Sequence, residues 1–494
     1  LGVSFSVFSS RSSSSEALHT TTTTTRVDNN NKNMYDAIIV GGGLSGLTCA
    51  HELSKQQHRS VLVLEASDRV GGRTNTVTFD DGSYADLGGM WVGPLHHKVK
   101  SLAREFDLEL MDQYDTGKTI MLFDNNGNKK RSEYSGTIPK LSILALLDLH
   151  FNGMRPLEQQ ANKIVMLPQS HKQHSSSNEI QHPQRDQWDS ISLEAWKQAN
   201  LWTQSAKDSV DAACRMVVGC EPCEVSFLYF LFYVQSNGGI MMLLDIEGGA
   251  QEKRIVNGSQ QLSTNLMERI HNSIADNRVL LNQPVCHIDY SDKQHNVVKV
   301  HTKNGQIYES STVIVACPPA LISKHVTFTP ELPLKKSTAF TRYLTGSYTK
   351  CLIYYTTMFW RDMGYSGSAI CSYNDNLHPV AGVFDYTDKE EQYPALCAFC
   401  VSEPALHFSE LDPPEQEKRV LDSLVNIFGV EEARTPTRIV IKEWSKDPWT
   451  RGCPVSILPP GACKTYSTTL REPIPPIFWA GTETASIGCG YMEG

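Results

Sequence analysis

The segment YDAIIVGGGLSGLTCAHELSKQQHRSVLVLEASDRVGG, residues 35–72, decides the fold class of this chain. Its first apolar run, Asp36 to Val40, has the length and composition of a buried parallel strand. Leu44 to Gln57 then repeats apolar residues with helical spacing, and Ser60 to Leu64 reads as a second strand. Together they form a βαβ unit. Gly41, Gly43 and Gly46 set a GxGxxG pattern at its first turn, where glycine permits a tight turn, close approach of a pyrophosphate and close helix-to-sheet contact. The start of the helix offers free N–H groups and a positive dipole end to phosphate oxygens. Glu65 comes at the end of the second strand, where an acid accepts hydrogen bonds from ribose hydroxyls. A lone glycine-rich turn needs no ligand, but strand, glycines, helix, strand and acid in register indicate a dinucleotide site.

Composition narrows the function. The chain has 494 residues, 40% hydrophobic and 20% charged, enough for a sizeable core and two or three domains. A formal charge of −9 provides no basic field for nucleic acid. The longest apolar runs, Leu141–Leu147 and Phe227–Val234, fall short of the roughly 20 residues of a membrane span. Thirteen scattered cysteines fit a reducing compartment better than secretion. Two CxxC pairs, Cys220/Cys223 and Cys397/Cys400, allow a four-thiolate zinc reading, yet ALCAFCVSE reads as a strand that points Cys397 and Cys400 to opposite faces. The stretch 169–187 contains histidines without regular ligand spacing and reads as a surface loop, so no metal site is expected. Residues 1–33, rich in Ser, Thr and Asn, read as a disordered low-complexity leader.

EASDRVGGRT followed by DLGGMWVG resembles the signature of the flavin amine oxidases, and the likeness continues through RIVNGSQQLS and PIFWAGTETA to GYMEG. The resemblance implies an α/β fold: a discontinuous Rossmann-like FAD-binding domain over 34–110, 251–320 and 440–494, with an α+β substrate-binding domain over 111–250 and 321–439. It implies that Ser45 and Arg73 approach the FAD diphosphate and that Gly88, Gly89, Met90 and Trp91 run beside the flavin. Val285 is then near the adenine half, with Trp444 and Glu483 in the flavin region. An NAD enzyme has no evident need for the second glycine-rich stretch.

Within that family the monoamine oxidases are the branch most like this chain. RGCPVSILPPG matches the segment in which their cysteine forms a thioether to a flavin ring methyl, so Cys453 is expected to tether FAD. Lys350, in LTGSYTKCLIYY, could face water on an alternating strand, but it matches the family lysine that holds a water near the flavin N(5). Those enzymes flank the amine with two tyrosines. Tyr491 supplies one, and Pro454 stands where the other is expected, leaving half a cage unless Trp444 or Trp449 replaces it. Leu244 and Ile370 match apolar cavity positions, and Gly382 replaces a bulky residue, which predicts a wider entrance.

The implied reaction is oxidation of a neutral amine to an iminium that hydrolyses to an aldehyde, with dioxygen as acceptor and hydrogen peroxide as product. The partners are thus a small amine and dioxygen, and the resemblance allows a homodimer. Three alternatives stay open: a polyamine or putrescine oxidase, an L-amino-acid oxidase, and a non-catalytic product whose scaffold binds partners. The last gains weight from the chain's start at leucine and stop at GYMEG, which read as a fragment lacking a helix and any membrane tail.

Overall fold

The computed structural model describes residues 34–494 except 57–58, 126–127, 137–139, 165–181, 274–276 and 373–375. The leader and most of the histidine-bearing loop lie outside the described residues.

The glycine segment builds the centre of a five-stranded parallel sheet. Strands Ala37–Val40 and Val61–Leu64 pair in register, Ile38 beside Leu62, and every residue of both is buried. Strand Arg278–Leu280 adds to one side, and Val313–Val315 followed by Ile477–Trp479 to the other. The sheet therefore draws strands from three distant stretches of the chain. The intervening helix runs Leu44–Ser54, shorter than its periodicity implies, and the Ser54 hydroxyl turns back onto the His51 carbonyl at its end. Leu47 and Ala50 of this helix share a core with Leu262, Leu266 and Ile270 of helix Gln261–His271. Beside this sheet, the strands of 285–310 form a meander whose Asn304-Gly305 turn has Gly305 at φ 80°.

A seven-stranded mixed sheet makes the second layer, in the order 438–443, 348–354, 395–401, 380–385, 365–371, 118–125 and 128–134. Both faces of its middle are covered. On one face Leu352, Cys397 and Phe399 pack with Tyr84 and Met90; on the other Cys351 and Cys400 pack with Val420, Leu424 and Phe428, the last three from helix Pro413–Phe428. Cys397 and Cys400 thus face opposite ways, because the pleat alternates side chains.

The apolar run at 227 is the helix Phe227–Ser236, with nine of its ten residues buried. Each fully buried Phe or Leu stabilises by about 1.5–3 kcal/mol, so this helix is a core element. Among the described residues no helix is long and apolar enough to cross a membrane.

Candidate active site

The glycine turn ends the first strand against the start of the helix. Gly46 has no room for a side chain, since a Cβ there would sit inside the Gly41 carbonyl oxygen. Gly88 is equally confined by the Arg73 carbonyl, and the Gly89 N–H donates to that carbonyl at 3.0 Å. The Gly71 N–H donates to the Gly42 carbonyl at 2.9 Å, so the glycine turn, the Gly71-Gly72 pair and the Gly88-Gly89 pair lie together. The helix begins at Gly43 with no side-chain cap and no acid in its first turn, so its leading N–H groups stay available to an anion. Glu65 Oε2 accepts the Gly42 N–H at 2.5 Å and Oε1 the Ser67 N–H at 2.8 Å. Burial pushes its carboxyl up from the ordinary glutamate value, and these N–H groups offset part of that.

A continuous cleft with about 2060 Å³ of empty space, its open mouth included, runs from this turn to the seven-stranded sheet. Its walls include Gly41, Gly43, Ser45, Glu65, Arg73, Gly88, Gly89, Met90, Trp91, Val285, Lys350, Trp444, Cys453, Pro454 and Tyr491. Gly46 and Glu483 lie behind the wall. An uncapped helix start at one end, a long slot and a buried lysine at the other fit an extended dinucleotide with a ring system at the sheet end.

Arg73 lines the cleft with part of its guanidinium already engaged. Its guanidinium pairs with both oxygens of Glu483, at 2.6 and 3.0 Å, and donates to the Pro454 carbonyl at 2.9 Å. Glu483 is only 3% exposed and needs a counter-charge. Arg69, which sequence reasoning passed over, donates to the carbonyls of Val70, Gly72 and Thr74 and so fixes the curve of the second glycine stretch.

Lys350 is 2% exposed. Its Nζ lies 3.0 Å from the Gly88 carbonyl and 3.0 Å from Met90 Sδ, above the rings of Phe399 and Tyr386. Burial lowers its pKa from the ordinary lysine value. Burial likewise pushes the Cys453 thiol up to about 12, against the charges of Arg73, Lys350 and Lys442.

The Tyr491 ring packs 5.3 Å from His96 and 6.5 Å from Tyr233. Both candidate replacements for the missing tyrosine line the cleft. The Trp444 indole donates to the Leu87 carbonyl at 2.8 Å, and the Trp449 ring lies against His325 at 5.5 Å. Further aromatic walls come from Tyr233, Tyr348 and Phe399, beside Gln251 and Met216. Sequence reasoning missed these five, because Tyr233, Tyr348, Phe399 and Met216 sit in helices or strands that read simply as core, and Gln251 sits in a turn with no motif around it. Leu244 and Ile370 are not among the lining residues of this cleft and pack against neighbouring cores. Beside Gly382 the Met216 side chain fills the space that a larger residue would take.

The sequence profile of the flavin containing amine oxidoreductases matches residues 44–494. The chain belongs to this family. The probable flavin-containing monoamine oxidase A of Dictyostelium discoideum is 33% identical over 461 residues, spanning 93% of this chain and 95% of its own length. Human flavin-containing amine oxidase B is 34% identical over 463 residues, 94% of this chain and 84% of its own. Among solved structures, putrescine oxidase bound to putrescine superposes with a TM-score of 0.82 at 26% identity, over 93% of this chain and 96% of that one. Cyclohexylamine oxidase from Brevibacterium oxydans gives the same TM-score of 0.82 and the same coverage. The protein is therefore an amine oxidase with FAD as its cofactor, an oxidoreductase acting on amines with dioxygen as acceptor. Its fold is the amine oxidase fold, an α/β cofactor domain with a substrate domain.

Proposed function

We propose that this amine oxidase acts on neutral monoamines bearing an aryl or alkyl group, that Cys453 holds its FAD covalently, and that Lys350 serves the oxygen half of the reaction. The observation that carries the substrate reading is the charge content of the cleft. Among the described residues its lining has two carboxylates, Glu65 at the glycine turn and Asp447, which accepts Lys442 Nζ at 2.7 Å. Both are already engaged, Glu65 by the Gly42 and Ser67 N–H groups and Asp447 by Lys442 and the Trp449 N–H, which leaves no free carboxylate in the lining for the distal ammonium of a diamine. The arginines of the lining, Arg69 and Arg73, are engaged with backbone carbonyls and Glu483, which leaves no guanidinium for an amino-acid carboxylate. The likeness to putrescine oxidase supports a diamine as the second reading.

When bound, FAD supplies the two-electron acceptor for the amine and the donor to dioxygen. The chain's residues do the rest. Gly43, Ser45 and the free N–H groups behind them would hold the diphosphate, and Glu65 the ribose. Tyr233, Tyr348, Phe399 and Tyr491 exclude water and favour the deprotonated amine, whose lone pair is then available for oxidation. Lys350 keeps an N–H donor at the sheet end of the slot.

Acid precipitation of the holoprotein tests the tether. Flavin should pellet with the wild type and move to the supernatant in Cys453→Ala; release from the wild type would refute the tether and leave the oxidase intact. For the substrate, kcat/KM for n-butylamine should exceed that for putrescine, and the reverse order would favour the diamine.

A further inference from the structure

Gly382 lies on strand Val380–Asp385, opposite Phe399 of the neighbouring strand. An ideal Cβ at Gly382 would stand 2.7 Å from Met216 Cε and 3.0 Å from Met216 Sδ. The thioether end of Met216 therefore occupies the volume that a larger residue 382 would take. It reaches there from the last turn of helix Gln204–Val218, more than a hundred residues away in the chain.

The backbone behind this side chain is held from two sides. The Tyr348 hydroxyl donates to the Met216 carbonyl, and the helix ends at Gly219, φ 72°, where a Cβ would meet the Tyr348 ring at 2.7 Å. Beyond that fixed backbone the Met216 side chain is unbranched, with three rotatable bonds and a polarisable sulfur. It forms part of the cleft wall together with Phe399 and Tyr348.

We infer that Met216, seated in the space left by Gly382, sets the width of the amine-binding end of the cleft and acts there as a yielding wall. This rests on the monoamine reading of the same site. Glycine at 382 permits the thioether to fold back against the sheet. Any side chain at 382 pushes the thioether towards the cleft, because its far end is the only part of that contact able to move. The class of substrate admitted is then an arylalkyl amine whose bulk, distal to the nitrogen, is met by a rotating methyl group.

The experiment compares kcat/KM for 4-tert-butylbenzylamine with that for benzylamine, using the holoenzyme. Met216→Ala should raise the ratio of bulky to small substrate by on the order of tenfold, the scale at which a hydrophobic pocket senses one or two carbons. Gly382→Ala should lower the ratio. In Met216→Ala the further change Gly382→Ala should have little effect on it, since the displaced atoms are gone. A purely structural role would change stability or both substrates together and leave the ratio unmoved. An unchanged ratio in Met216→Ala, or a Gly382→Ala effect of equal size in both backgrounds, would overturn the inference. A wild type that oxidises neither benzylamine nor n-butylamine would instead remove the monoamine reading beneath it.

Discussion

Lys350 shows how one side chain takes its character from its surroundings. Alternation of Thr349, Lys350 and Cys351 along the strand suggests a water-facing lysine, yet all seven residues of Tyr348–Tyr354 are buried because the sheet is covered on both faces. With the pKa lowered by burial, the ammonium is easier to discharge, and the donor points at the Gly88 carbonyl beside the cleft. Lys350→Met should slow reoxidation of reduced flavin by dioxygen about tenfold or more and alter flavin reduction much less. Stopped-flow measurement of the two half-reactions separates them, and equal losses would argue for a packing role. Cys453 and Tyr491 were legible as candidates from their motif segments. Met216 was not, since a methionine on an amphipathic helix looks like any other core residue.

At the scale of the element, one helix is capped from far along the chain, where others use a local Ser or Asp such as Ser142, Ser192 and Asp412. Helix His97–Glu105 has no side-chain cap from His96, and its Lys98 and Val99 N–H groups are accepted by the carboxylate of Glu493, at 3.0 and 3.1 Å. His96 itself closes the preceding loop, its Nδ1 accepting the Gly93 N–H at 3.0 Å. Burial, with Lys100 and His97 nearby, pushes His96 down to about 4 from 6.5. The folded protein therefore resists a proton that the unfolded chain takes up, and stability present above pH 6.5 is lost as pH falls towards 4. The loss attributable to this group approaches about 3 kcal/mol at the acid end. His96→Gln, whose amide oxygen can accept the same N–H, should flatten the fall in Tm between pH 7 and 4.5. An identical fall in the variant would assign the acid limb to other groups.

For the molecule as a whole, the decisive contact is the Arg73–Glu483 pair. It joins the second glycine stretch to the last segment of the chain and, through the Pro454 carbonyl, to the loop bearing Cys453. The Ser456 N–H adds a further hydrogen bond to Glu483. Glu483→Ala strands a guanidinium that is 23% exposed and should destabilise by about 3–5 kcal/mol. Urea unfolding reads this directly. The double variant Arg73→Met/Glu483→Leu should recover much of the loss, because no charge is then left unpaired; no recovery would mean that the pair organises the loop through its geometry alone. The same variants should weaken flavin retention, since the loop bearing Cys453 loses its anchor.

The sequence by itself determined the features carried within a few residues of chain: the strand–turn–helix at 36–54, the acid at the end of the second strand, the strands of 285–315 and the opposed thiols of Cys397 and Cys400. These follow from periodicities of 3.6 and 2 and from the backbone freedom of glycine, which act locally. The tertiary structure alone decided that Arg73 faces Glu483 across 410 positions, that a covered sheet buries Lys350, and that Met216 closes the space beside Gly382. A side chain's partner across such a separation is set by which elements pack together and by what volume and charge each leaves unfilled, and no local pattern records that.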